Sequence, residues 1–173
     1  MPTYVGLLRG VNVGGKNKLA MADLRSLVES LGHTDVTTYI QSGNIVFTSA
    51  KAVAPPGLED AIKAEFGLDV TVVLRTPAEL AKVVKTNPFA REDVSKVHVG
   101  FMTRKPAKAV VAKVDAARFE PEEFAVRSAE LYLYLPNGMG RAKLPDYVGR
   151  QLKIPTTVRN WNTVLKLLEL AGG

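Results

Sequence analysis

The sequence contains no cysteine among its 173 residues. Without cysteine the chain can form no disulfide, no thiolate metal site and no cysteine nucleophile. Long apolar runs are also missing, because the uncharged apolar stretches are far shorter than the roughly 20 residues of a membrane-spanning helix. No basic segment followed by a long apolar one stands at the N-terminus, so we expect no signal peptide. These absences predict a cytoplasmic protein with no membrane partner.

Histidine is also scarce, and acidic residues are fewer than basic ones. Only two histidines are present, His33 and His98, and no cluster of carboxylates accompanies either of them. We therefore expect no metal site, and no segment implies a cofactor. Lysine and arginine number 23 against 17 aspartates and glutamates, which gives a net charge of +6. Such an excess favours anionic partners, although solubility alone can also account for it.

The first half of the chain shows the strand and helix patterns of a ferredoxin-like unit. Apolar stripes at helical spacing begin at Met21 and at Pro55, and they predict two helices. Short β-rich runs predict strands at residues 4–9, 36–40, 44–48 and 70–74. The resulting order is βαββαβ, and the most apolar runs are the first and third strands. We therefore predict a ferredoxin-like α+β subdomain over residues 1–76.

The second half, residues 77–173, repeats the theme with changes. Strands are predicted at residues 97–102, 124–128 and 131–135, and helices at residues 146–152 and 161–171. A further helical stripe comprises Ala109, Val110, Val114 and Ala117. No clear fourth strand is evident. We therefore predict a modified ferredoxin-like subdomain with a C-terminal helix, packed against the first to form one compact unit.

Several motifs carry a family resemblance that covers nearly the whole chain. They are LLRGVNVGGKNK at residues 7–18, MADLR at 21–25, YIQSGNIVF at 39–47, NPF at 87–89 and TVRNWNTV at 157–164. In these motifs the chain resembles the bacterial family called domain of unknown function 1697. Ala142 stands where the family pattern would have a serine. The resemblance implies the fold and a bacterial cytoplasmic origin, but it transfers no catalytic residue.

The segment from Gly10 to Lys18 combines glycines with positive charge. It matches G-x-x-x-x-G-K, but Asn17 stands where a P-loop needs the serine or threonine that binds Mg²⁺. Glycines let backbone N–H groups converge on an oxyanion, and Arg9, Lys16 and Lys18 add charge with no acidic residue among them. The segment therefore predicts a small-anion site. Alternatively, the glycines only permit a tight loop.

A second polar segment covers residues 159–163. Asn160 suits a helix N-cap and Trp161 a core anchor, whereas neither role explains Arg159. We expect this segment to meet the glycine-rich loop where the two halves join. The predicted ligand-binding residues are Arg9, Asn12, Gly14, Gly15, Lys16, Gln41, Arg159 and Asn160.

Two other functions stay open at this point. The stretch from Arg141 to Arg159 carries five basic residues and one acidic residue, which favours sequence-tolerant nucleic-acid binding. Phe47 lies in the third strand, where RNA-recognition motifs stack bases, but the paired aromatics of that motif are missing. An interaction protein with no small ligand is the other alternative. The sequence decides neither whether the protein is an enzyme nor its oligomeric state.

Overall fold

The chain is an α+β protein with two four-stranded sheets. The computed structural model describes all residues from 1 to 173. The chain forms two compact units, one comprising Met1–Lys82 with Lys166–Gly173 and the other Val83–Leu165. The predicted boundary between residues 76 and 77 stays a prediction.

The first unit has the predicted βαββαβ order. Its elements are β1 (Thr3–Arg9), α1 (Met21–Ser30), β2 (Thr34–Tyr39), β3 (Asn44–Thr48), α2 (Pro55–Phe66), β4 (Thr71–Arg75) and α3 (Pro77–Lys85), whose last three residues belong to the second unit. All three strand pairings are antiparallel, and the strand order is β2-β3-β1-β4. The first and third strands are therefore central, as their apolar sequences predict. The ferredoxin-like fold of this half is confirmed.

A hydrophobic core joins α1 and α2 to one face of this sheet. Leu24 and Val28 of α1 and Ile62 of α2 are buried in the same cluster as Ile45 and Phe47 of β3. These helical residues are three or four positions apart along their stripes, so they lie on one face of each helix. Fully burying such side chains contributes about 1.5–3 kcal/mol each, so this cluster stabilises the unit substantially.

The second unit follows the same order of elements. They are β5 (Val97–Met102), α4 (Lys108–Ala112), β6 (Glu123–Arg127), β7 (Glu130–Tyr134), α5 (Leu144–Leu152), β8 (Thr156–Asn160) and α6 (Trp161–Leu170). The last helix begins in this unit, and its residues from Lys166 onward belong to the first unit. The strands are again antiparallel, in the order β6-β7-β5-β8. Short 3₁₀ turns occur at Val94–Lys96, Ala117–Phe119 and Met139–Arg141. The two units are thus similar ferredoxin-like subdomains.

The prediction that the second half lacks a clear fourth strand is wrong. β8 pairs with β5 over five residues and forms an edge of the sheet. Its sequence, TTVRN, contains no apolar run, because Arg159 and Asn160 follow the β-branched residues. An edge strand is bonded on one side only and tolerates polar residues, so apolarity is a poor guide to it.

The helix predicted from Ala109 to Ala117 is also shorter than expected and shows a different face. α4 ends at Ala112, and Val110 is 38% exposed instead of buried. Val111 packs against the core in its place, while Val114 packs there as the stripe predicts but lies beyond the end of α4. The N–H groups of Lys113 and Val114 bond to carbonyls three residues back, and this tighter 3₁₀ winding ends the α-helix.

The two sheets match in register as well as in strand order. In β1, Gly6 lies opposite both Ile45 and Leu74. In β5, Gly100 lies opposite Leu131 and Val158 in the same way. A Cβ atom on Gly6 would lie 2.9 Å from Ile45 Cγ2, so this central position favours glycine.

This register makes Arg75 and Arg159 equivalent residues. Arg75 lies opposite Val5 in the first sheet, and Arg159 lies opposite Val99 in the second. Both arginines are buried, and each donates from Nη1 to the carbonyl of the residue before it, at 2.9 Å and 3.0 Å. Each is followed by the residue that caps a helix. Arg159 is therefore one of two matching strand-end arginines.

Candidate functional site

The Gly10–Lys18 loop is held in shape by the side chain of Asn12. Its Nδ2 donates to the carbonyls of Leu19 at 2.8 Å and Gln41 at 2.7 Å, and its Oδ1 accepts from the Leu19 N–H at 2.8 Å. Asn17 Nδ2 donates to the Gly10 carbonyl at 3.1 Å. Asn12 thus ties the loop to the β2–β3 turn and positions it, with its amide already engaged by the protein.

The tip of this loop is a tight turn that presents backbone to solvent. Lys16 N–H donates to the Val13 carbonyl at 2.9 Å, and these two residues form an isolated antiparallel bridge. Gly14 and Gly15 between them have φ of +57° and +75°, which glycine adopts freely. Both glycines are exposed, and neither N–H has an acceptor within the chain. These two donors are available to an anion.

An open cleft lies beside the loop, within the first unit. Its lining comprises Asn12, Gly15, Lys18, Leu19, Ala20 and Gln41. Lys18 and Gln41 are exposed, whereas Leu19 is buried beneath them. The cleft ends at α1, whose first residue is Met21. A cationic ammonium, an amide and a glycine backbone therefore surround one open space.

The structure groups three of the predicted ligand-binding residues around this cleft, namely Asn12, Gly15 and Gln41. Lys16 and Gly14 are in the same loop but do not line the cleft. Lys18 was predicted only as part of the loop's charge, yet it lines the cleft directly. Leu19 and Ala20 were not predicted, because an apolar pair ahead of a helix has no binding signature in sequence.

The helix also begins too late for a P-loop. α1 starts at Met21, five residues after Lys16, so this lysine lies outside the first helical turn. Asn17 uses its amide within the loop, as described above. The arrangement therefore lacks the helix-borne lysine and the magnesium-binding hydroxyl of that motif.

Arg159 and Asn160 lie in the second unit, at the end of β8. Arg159 is 7% exposed, and burial lowers the pKa of its guanidinium to about 10, so it stays charged at neutral pH. Its Nη1 also donates to Thr157 Oγ1 at 2.6 Å. Asn160 accepts the Thr163 N–H at 2.8 Å, which confirms its interpretation as an N-cap. A ligand role for either residue stays a prediction.

The basic stretch near the C-terminus is only partly exposed. Arg141, Lys143, Arg150 and Lys153 lie on the surface around α5, whereas Arg159 is buried. Nucleic-acid binding through this stretch stays a prediction. Phe47 is fully buried and its ring stacks on Tyr4 at 5.7 Å between centroids, so it is a core residue.

Neither metal-binding clusters nor membrane-spanning helices occur in the structure. No three histidine, aspartate or glutamate side chains lie together in an arrangement that could hold a metal ion. No helix combines the length and apolarity required to cross a bilayer.

The fold and the cleft define a class of α+β protein, in which two similar ferredoxin-like units occur in one chain and a glycine-rich loop borders a polar cleft. The family described as a protein of unknown function (DUF1697) matches residues 1–132, and the chain belongs to this family. The motif at residues 157–164 lies outside the matched range.

One solved structure extends the comparison to the C-terminus. The conserved bacterial protein SP0830 from Streptococcus pneumoniae is 26% identical, with a TM-score of 0.75 and 98% of each chain covered. The similarity therefore includes both units and the fourth strand of the second. No curated protein matches the chain.

Proposed function

We propose that this protein binds a small anionic ligand, bearing phosphate or carboxylate, at the cleft beside the Gly10–Lys18 loop. The observation that carries the proposal is the grouping of Gly15, Lys18 and Gln41 around one open space. A carboxylate or phosphate accepts bonds from an ammonium, an amide and a backbone N–H alike. The three donor types suit an anion better than they suit a neutral or cationic ligand.

Electrostatics support an anion at this position. Residues 1–22 contain no aspartate or glutamate, and the first acidic side chain is Asp23 in α1. Lys16 and Lys18 are exposed on the loop. The cleft therefore lies in a positively charged region of a chain whose net charge is also positive.

Rigidity supports the proposal as well. The bonds of Asn12 and Asn17 hold the loop before any ligand arrives. A preformed site loses less conformational entropy on binding, so modest contacts can give measurable affinity. The backbone carbonyl of Gln41 accepts a hydrogen bond from Asn12 Nδ2, which leaves the side-chain amide of Gln41 for the ligand.

The proposal is tested by titrating the protein with inorganic phosphate, pyrophosphate and citrate while thermal unfolding is followed. A ligand that binds the folded state raises the unfolding temperature in a saturable manner. Lys18→Ala should weaken the binding of that ligand at least about tenfold, because a bond to a charged group contributes about 1.5–3 kcal/mol. Lys16→Ala tests the turn lysine of the same loop.

The matched control is Lys108→Ala, which removes another exposed lysine, at the start of α4. It changes the net charge equally and should leave the affinity unaltered. If Lys18→Ala and Lys108→Ala lower the affinity equally, the effect arises from net charge alone, and this would contradict binding at the cleft. Absence of a saturable shift with all three compounds would count against small-anion binding there.

A further inference from the structure

Strand β6 is an edge strand with an unusual distribution of charge. Its five residues are EFAVR, so a glutamate and an arginine stand at its two ends. Both are exposed, and neither Glu123 nor Arg127 forms an ion pair within the chain. The strand order β6-β7-β5-β8 gives β6 a neighbour on one side only. Its other side is a candidate for pairing with a further strand.

The hydrogen-bonding groups of the free side can be assigned from the hairpin. Ser128 and Ala129 form a two-residue turn, and Arg127 lies opposite Glu130. In such a hairpin the closing pair is hydrogen-bonded, and bonded pairs then alternate along the strands. Residues 123, 125 and 127 therefore bond to β7, whereas Phe124 and Val126 direct their N–H and C=O groups outward.

The edge strands of the first sheet, β2 and β4, are protected against pairing with a further strand, whereas β6 is not. β2 contains a bulge between Thr34 and Thr37, with Asp35 at φ +51°. In β4 the outward N–H of Val72 donates to Glu59 Oε2 at 2.8 Å. Bulges and side-chain caps of this kind prevent edge-to-edge pairing. The N–H groups of Phe124 and Val126 have no such acceptor.

We propose that β6 pairs with β6 of a second copy of this chain, antiparallel about a two-fold axis at Ala125. Phe124 then lies opposite the second copy's residue 126, so the four outward N–H groups and the four outward carbonyls of the pair bond to one another. Glu123 lies opposite the second copy's residue 127, and the two-fold axis repeats this ion pair at the other end. The self-complementary charge pattern selects a second copy as the occupant.

One existing contact changes when the strands pair. Arg127 Nη1 donates to the carbonyl of Val126 at 3.1 Å, and this carbonyl becomes a ladder acceptor. The exposed guanidinium turns instead towards the glutamate of the second copy. β8 offers no equivalent, because its sequence TTVRN carries a single charge and cannot pair opposite charges with itself.

A five-residue edge buries less area than stable dimers do, so the association depends on concentration. Sedimentation equilibrium of the full chain, from micromolar to millimolar concentration, should show a monomer–dimer equilibrium. Glu123→Arg and Arg127→Glu each place like charges opposite one another and should weaken the dimer about tenfold. The double substitution E123R/R127E reverses both charges and should restore it.

Amide hydrogen exchange supplies an independent readout. The amides of Phe124 and Val126 should become protected as concentration rises, while the exchange of the amides that bond β7 stays constant. Circular dichroism of each variant confirms that the fold is intact. The proposal is overturned if the protein is a monomer at every concentration. It is also overturned if the charge reversals leave the dimerisation affinity unchanged.

Discussion

At the scale of single residues, glycine is required at Gly43 for two separate reasons. Gly43 has φ +88°, and a Cβ there would lie 2.7 Å from Val11 Cγ2 and 2.8 Å from Leu8 Cβ. Its carbonyl also accepts the Leu8 N–H at 2.8 Å. The backbone of the β2–β3 turn therefore packs directly against Leu8 and Val11, and only a residue without a side chain fits at position 43.

We predict that Gly43→Ala destabilises the protein by about 3 kcal/mol, because left-handed backbone strain and overpacking add together. Gly14→Ala is the matched control, since Gly14 has φ +57° but no atom within 4 Å of its added Cβ. It should cost about 1 kcal/mol from strain alone. Chemical denaturation without added anions measures both, and equal losses would show that the crowding at Gly43 is relieved at no cost.

At the scale of secondary-structure elements, the last strand of each unit passes directly into a capped helix. Thr76 Oγ1 accepts the Glu79 N–H at 3.2 Å at the start of α3, and Asn160 caps α6 at 2.8 Å. Each cap directly follows one of the matching buried arginines, Arg75 and Arg159. The duplicated strand–arginine–cap arrangement follows from the shared register of the two sheets.

Asn160→Ala should destabilise the protein by about 1 kcal/mol, since the cap satisfies an N–H that has no partner inside the helix. Asn162→Ala, an exposed substitution on the same helix, should change stability by less than about 0.5 kcal/mol. Denaturant unfolding of both variants provides the comparison. If both variants unfold at the same denaturant concentration, the Asn160 cap does not stabilise the protein and the prediction is wrong.

At the scale of the whole molecule, the two histidines determine how stability responds to mild acid. Burial lowers the pKa of His98, although a backbone bond with Lys96 partly opposes it, and burial also lowers the pKa of His33. His98 Nδ1 is buried without a hydrogen-bond partner. The folded protein therefore binds fewer protons than the unfolded chain just below the ordinary histidine pKa of 6.5.

The free energy of unfolding should be highest above the ordinary histidine pKa. It should fall as the pH drops from there towards the lowered pKa values of His98 and His33. We expect a smaller free energy of unfolding at about pH 5.5 than at about pH 7.5. His98→Gln should remove more of this difference than His33→Gln, because His98 is the residue with the orphaned buried nitrogen. Unfolding that is independent of pH in this window would contradict the burial of the neutral imidazoles.

Most of the secondary structure follows from local patterns. The apolar runs of β1 and β3, the proline start of α2 and the Asn160 cap could all be predicted, because each depends on neighbours close in sequence. β8 and the true face of α4 could not. β8 is defined by its pairing with β5, and α4 by a change of helical winding, and neither leaves an apolar signature.

Long sequence motifs identify the family, and short-range periodicity predicts the order of elements in the first unit, because neighbours in sequence encode both. The positively charged, glycine-rich loop is equally evident from its residues. Only contacts between distant segments determine which side chains surround the cleft. Asn12 bonds to the Gln41 carbonyl across 29 positions of sequence, and this bond brings Gln41 to the loop. The tertiary structure also decided that Arg159 is buried and that β6 is an open edge. Burial and pairing depend on which distant segments meet in space, and no local pattern records that.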